Sequence, residues 1–121
     1  MKYMLMLRAS APDDGDSGAE PARKAMAAYD EQLIRAGVLL AGERLDLDAG
    51  ARVSCDGERR YVSDAQDSEP PIAMWMLQVA SRDEAVEWAR RCPATDGCIE
   101  VRGIVERSET DVRSDAIANA R

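Results

Sequence analysis

Two short stretches constrain this chain more than anything else in it. "KYMLMLR" (2–8) and "PIAMWMLQVA" (71–80) stay apolar whichever alternate set of residues is read, until their ends or Gln78. Side chains along a strand point alternately to its two faces, so a strand with one wetted face alternates apolar with polar residues. These two do not. Both are expected as strands buried on both sides, in a sheet that needs cover twice over.

Helical cover is limited to two elements. Pro21, favoured in a first turn, opens a helix expected to run to Ala36, with Gly37 as its stop. Ala22, Met26, Tyr29, Leu33 and Ala36 recur at helical spacing as one apolar face, while Arg23, Lys24, Asp30 and Glu31 fall largely outside it. In "SRDEAVEWARRC", Ser81 is the cap and Glu84, three residues on, completes a capping box. Ala85, Trp88, Ala89 and Cys92 line one face, and Pro93 ends the helix.

Between these lie "VLLAG" (38–42), a short strand or strand-like connection, and "ARVSCDGERRYVS", a hairpin turning at Asp56-Gly57. "CIEVRGIV" (98–105) is the last strand, with Glu100 and Arg102 alternating with apolar neighbours. "ASAPDDGDSGA" is a loop; its Asp14 and Asp16 begin a calcium-loop spacing, but Gly18 takes the third ligand position. The order predicts a ferredoxin-like α+β sandwich over 1–105, an antiparallel sheet with helices on one face, and then a polar tail, 106–121. No element remains for the second face. A second copy packing sheet against sheet is the economical cover, so a homodimer is expected.

Composition narrows the function. With two Trp, three Tyr and no Phe, the core must be built from Met, Leu, Ile, Val and Ala. The six methionines suit an adaptable interior. A net charge of −7 argues against nucleic acid, whose phosphates require a basic footprint. No apolar run approaches a membrane span and none at the amino terminus is long enough for a signal peptide, so a cytoplasmic location is expected. Cys55, Cys92 and Cys98 lack C-x-x-C spacing, which fits reduced thiols rather than a disulfide framework or a zinc site. The chain has no histidine. That removes His-based triads, proximal-His haem and imidazole relays, and neither metal nor cofactor is expected.

"MKYMLML", "AYDEQLIRAGVLLAGERL" and "DEAVEWARRCPA…IEVRGI", in that order and spacing, resemble the YCII-related, or DGPF-type, proteins. The resemblance implies a ferredoxin-like domain forming dimers of the α/β-barrel type. It brings no assigned activity for most members, and an association of some with sigma factors. Two departures matter. Where the family carries Asp-Gly-Pro-Phe, this chain has Asp64, Ala65, Gln66 and Asp67. Where the YciI branch has a His on the first helix and an Asp near its end, this chain has Met26 and Arg35. A thioether cannot move protons and a guanidinium stays protonated, so the activity attributed to that pair does not carry over.

The remaining candidates are charged residues at strand ends. Asp64 is the surviving acid of the family motif, against the plainer reading of a solvated carboxylate closing a turn. Glu100 and Arg102 project from one face of the last strand, to orient a polar or anionic ligand or to pair within the sheet. Glu43 and Arg44 follow "LLAG" and are candidates to line the same cavity. Tyr3 and Tyr61 read as amphipathic packing, Trp75 and Trp88 as core or interface anchors, and Cys98 as a nucleophile only with a depressed pKa. Three functions fit: a dimer binding a small polar molecule or partner without His-based catalysis; a lyase or isomerase with Asp64 as base and Arg102 or Arg44 holding an anion; a regulatory protein of sigma-factor systems.

Overall fold

The computed structural model describes residues 1–10, 19–65 and 67–107. The acidic loop 11–18, Gln66 and the tail from 108 onward, with the expectations attached to them, lie outside these. The elements run β1 (Lys2–Arg8), α1 (Ala19–Arg35), β2 (Leu39–Arg44), a 3-10 turn (Leu47–Ala49), β3 (Arg52–Asp56), β4 (Arg59–Ser63), β5 (Pro71–Gln78), α2 (Arg82–Arg91) and β6 (Cys98–Gly103). β2, β5, β1 and β6 form an antiparallel sheet in that spatial order. With both helices on one face, this is the ferredoxin-like α+β sandwich. Among the described residues, β3 and β4 pair only with each other.

Register decides which side chains the helices cover. Leu5 stands between Trp75 and Val101, and Leu7 between Ala73 and Ile99, while Tyr3 pairs with Leu77. These odd-numbered rows face the helices, and Leu5, Trp75 and Leu77 are wholly buried there. α1 adds Tyr29 and Leu33, four apart on one helical face; α2 adds Ala85 and Trp88, three apart. Each large side chain so buried stabilises the fold by about 1.5–3 kcal/mol. The Tyr29 hydroxyl donates to the Trp88 carbonyl at 2.7 Å, tying helix to helix. Its ring meets Trp75 edge-on, centroids 5.4 Å apart. Burial pushes the Tyr29 phenol well above its ordinary value, which keeps it a donor.

Local chemistry sets the ends of the elements. The Glu84 N–H donates to Ser81 Oγ at 3.2 Å, and the Glu84 carboxylate accepts from the Ala80 N–H at 2.8 Å. The box thus closes one residue ahead of the cap rather than on it. β2 extends past the expected 38–42 because Glu43 and Arg44 continue the ladder against Met74 and Ala73. α1 starts two residues before Pro21. The hairpin turn falls on Gly57-Glu58, since Asp56 pairs with Arg59 and Gly57 takes φ +60°. A II′ turn requires positive φ only at its first central residue, which is where the glycine sits. No helix among the described residues is long and apolar enough to cross a membrane.

Candidate functional site

The even-numbered rows emerge on the face away from the helices. Met4 pairs with Met76 and Met6 with Met74. All four are half-buried by their neighbours in the sheet, and both helices pack on the other face. Among the described residues, the two strands that read as buried on both sides are therefore sealed on one face and partly open on the other.

Charge borders this methionine strip. On the β6 side, Glu100 stands beside Met6 and Arg102 beside Met4. The Glu100 carboxylate accepts from Arg8 Nε at 2.8 Å and from Arg102 at 2.9 Å. The Arg102 hydrogen bond is the largest cause holding Glu100 below the usual carboxylate range, and Arg8 adds to it. Arg102 itself stays 73% exposed, so donors beyond those spent on Glu100 remain open to a ligand. On the β2 side, Glu43 stands exposed beside Met74.

Two cavities lie at the ends of the sheet. One of about 400 Å³ is lined by Leu7, Ala94, Asp96, Cys98 and Ile99 among others. The other, of about 460 Å³, is bordered by Lys2, Gln78, Ile104 and Val105 with the two residues after them. Asp64 lines neither. It is exposed between β4 and β5 and makes none of the hydrogen bonds or ion pairs found among the described residues. Asp67, three residues on, pairs with Arg52 at 2.9 Å. No group of three acid or thiol side chains among the described residues is close enough to hold a metal ion.

The family model described as YCII-related domain matches residues 1–108, from β1 through β6. The chain belongs to the YCII-related family. No curated protein matches it. The match spans every described element and takes in residues 64–67. In this YCII-related domain, Met26 packs against the core and Arg35 is exposed at the end of α1.

The remaining candidate, Arg44, lies on the helix side of the sheet. Adjacent strand residues point to opposite faces, so Glu43 and Arg44 do not share a cavity. Arg44 donates to Asp30 Oδ2 at 2.9 Å, and its guanidinium lies over Trp75, 5.3 Å from the ring centroid. Asp30 Oδ1 accepts from Trp75 Nε1 at 2.7 Å, satisfying the one polar atom of a wholly buried side chain. Gly42 admits the indole: a Cβ there would stand 3.0 Å from the ring. Of the five candidates, then, Glu100 and Arg102 touch, Glu43 shares their face at the far edge, Arg44 lies on the opposite face, and Asp64 stands apart.

Sequence reasoning missed two partners. Arg8 closes β1 and holds Glu100, and the signal for it was a cation at the end of an even-numbered apolar row. Asp30 was assigned to the wet side of α1. It sits four residues after Met26 and three before Leu33, both on the core face, which places it at that face's border. Tyr3 packs against the core, whereas Tyr61 is exposed on the hairpin. Cys98 is exposed; Cys92 is buried, and burial pushes its thiol up.

Proposed function

We propose that this YCII-related protein is a homodimeric binding module for a small polar or anionic molecule, working without histidine acid–base chemistry. The observation that carries the reading is the uncovered sheet face, two rows of half-buried methionines between an arginine-bearing edge and an acidic one. Removing such surface from water is favourable by roughly 25 cal/mol per Å². Unbranched thioethers repack readily against copies of themselves. A two-fold interface needs a self-complementary patch, and a strip with opposite charge on its two borders has that property. At its rim, Glu100 holds Arg102 in place, and the guanidinium has the fork that suits a carboxylate or phosphate.

Light scattering at micromolar concentration tests the dimer. The expected result is twice the chain mass, falling to one chain mass in Met76→Glu, which sets a charge in the centre of the strip. A monomeric wild type refutes the reading. The ligand is tested by thermal shift against a panel of small carboxylates, phosphates and phenolic acids. A ligand that binds only the folded state raises the melting temperature. A rise that persists unchanged in Arg102→Ala removes the rim site from consideration.

A further inference from the structure

We propose that the cavity at the Lys2 end of the methionine strip binds a small monocarboxylate with an apolar body, its carboxylate bridging Lys2 and Arg102. This rests on the small-anion reading above and gives that anion a place. Register puts the cavity on the face away from the helices. Lys2 pairs with Gln78 on β5. The Ile104 N–H donates to the Lys2 carbonyl at 2.9 Å, so Ile104 stands opposite Lys2, one step beyond the Tyr3–Gly103 pair. Strand residues two apart share a face, which sets Lys2 beside Met4, Gln78 beside Met76 and Ile104 beside Arg102. The row Ile104–Lys2–Gln78 therefore continues the methionine face, and all of it lines the cavity of about 460 Å³. Residues 105–107 complete the lining.

Lys2 and Met4 on β1, with Ile104 and Arg102 beside them, make a square that has cations on one diagonal and apolar side chains on the other. Diagonal neighbours in an antiparallel pair stand about 7–8 Å apart. A carboxylate spans that gap, each oxygen roughly 2.7–2.9 Å from a donor on one of the two long side chains. Both cations have donors to give. Lys2 and Gln78 are exposed and make none of the side-chain hydrogen bonds or ion pairs found among the described residues. Arg102 spends Nε and Nη2 on Glu100, and Nη1 takes part in neither bond. Glu100 is shared with Arg8, so the cations around it outnumber the carboxylate. The one carboxylate of the cavity lining, Glu106, lies 3.6 Å from the amino-terminal ammonium. In a chain of net charge −7, a concave site with this local excess of cations draws an anion.

The apolar corners select the rest of the ligand. Ile104 lies within the cavity and Met4 at its inner edge, both half-buried. A polarizable thioether beside a branched side chain receives a flat ring, and sulfur–ring contact is itself favourable. The same corners disfavour a phosphate. A phosphate dianion carries more charge and more acceptor oxygens than a carboxylate, and neither Ile104 nor Met4 has a side-chain donor to meet them. The two oxygens of a carboxylate match the two cations present, and the Gln78 carboxamide, on the far side of Lys2, suits a polar substituent on the ring. The cavity lies one row beyond Met4 and Met76, at the rim of the surface that a second copy would cover.

The test titrates phenylacetate into the full chain by isothermal calorimetry, with 2-phenylethanol as its uncharged counterpart and phenyl phosphate as the dianion. Phenylacetate is expected to bind saturably, and each of the other two at least about tenfold more weakly. Lys2→Gln and Arg102→Gln are each expected to weaken phenylacetate at least about tenfold. Lys24→Gln, the same charge change at an exposed position on α1, is expected to leave it within about twofold. Lys2 and Arg102 are exposed, so both replacements leave the core intact, and an unchanged urea midpoint without ligand checks this. An affinity that survives Lys2→Gln, or 2-phenylethanol binding as tightly as phenylacetate, overturns the proposal. Phenyl phosphate binding more tightly than phenylacetate overturns the carboxylate assignment. If phenylacetate does not bind but another small anion does, through Arg102, this cavity is wrong and the rim reading stands. No binding of any small anion overturns both.

Discussion

Asp30→Ala should cost far more than the loss of a carboxylate at the border of a helix face suggests. The reason is Trp75, whose side chain is wholly buried and whose Nε1–H has Asp30 as its acceptor. Removing the acceptor leaves a dry indole N–H, a cost of about 1–3 kcal/mol. The Arg44 ion pair adds little, roughly 0.5 kcal/mol, because both partners are partly exposed. The total, on the order of 2 kcal/mol, corresponds to a fall in Tm of roughly 10 °C for a domain of this size. Asp30→Asn keeps a carbonyl acceptor for the indole and should cost no more than about 1 kcal/mol. Urea unfolding followed by tryptophan fluorescence measures both, at one fixed protein concentration because a dimer's midpoint depends on it. In a Trp75→Phe background, where no donor remains to be stranded, Asp30→Ala should cost at least ~1 kcal/mol less than in wild type. Equal losses for Asp30→Ala and Asp30→Asn, or a strictly additive cycle with Trp75→Phe, would refute the argument.

Gly97→Ala should be among the most damaging single substitutions, by about 3 kcal/mol or more, because φ is +84° and the new Cβ would collide with the Arg8 carbonyl. Gly57→Ala is the control, with φ +60° but open space around it, and should cost only about 1 kcal/mol in the same urea titration. Glu100 has a folded pKa below its ordinary 4.5, so its contribution is complete above the ordinary carboxylate range and is lost as pH falls through the depressed value. The stability difference between wild type and Glu100→Gln should therefore be flat above about pH 6 and shrink towards zero in acid; a difference that grows in acid would contradict it.

The sheet and its two helices were legible because they rest on local rules. The capping box at Ser81, the 3.6-residue recurrence through Tyr29 and Leu33, and the doubly apolar strands each name an element from its own residues. What was not legible depends on register. Whether Glu43 and Arg44 share a cavity is decided by their pairing with Met74 and Ala73 some thirty residues away. The bond from Asp30 to Trp75 joins residues 45 apart, and that from Arg8 to Glu100 joins residues 92 apart. No pattern within a helix or strand carries such pairings. The hairpin turn was misplaced by one residue for a related reason: Asp-Gly suits one turn type by composition, but the ladder opposite, Asp56 on Arg59, selected the other.

The sheet order also sets a timetable. β1 is a central strand, yet its partners are β5 and β6, more than sixty and about ninety residues later in the chain. At synthesis rates of about 5–20 residues per second, it waits roughly 5 to 20 s for both neighbours. Pairing at such sequence distance is slow even once the chain is complete, because loop closure must precede any gain in contacts. Throughout that interval "YMLML" is an apolar segment with both edges and both faces unpaired. The strand most deeply protected in the finished molecule is thus the one longest exposed to misassociation while it is made, and soluble yield should fall with slower chain elongation sooner than folded stability would suggest.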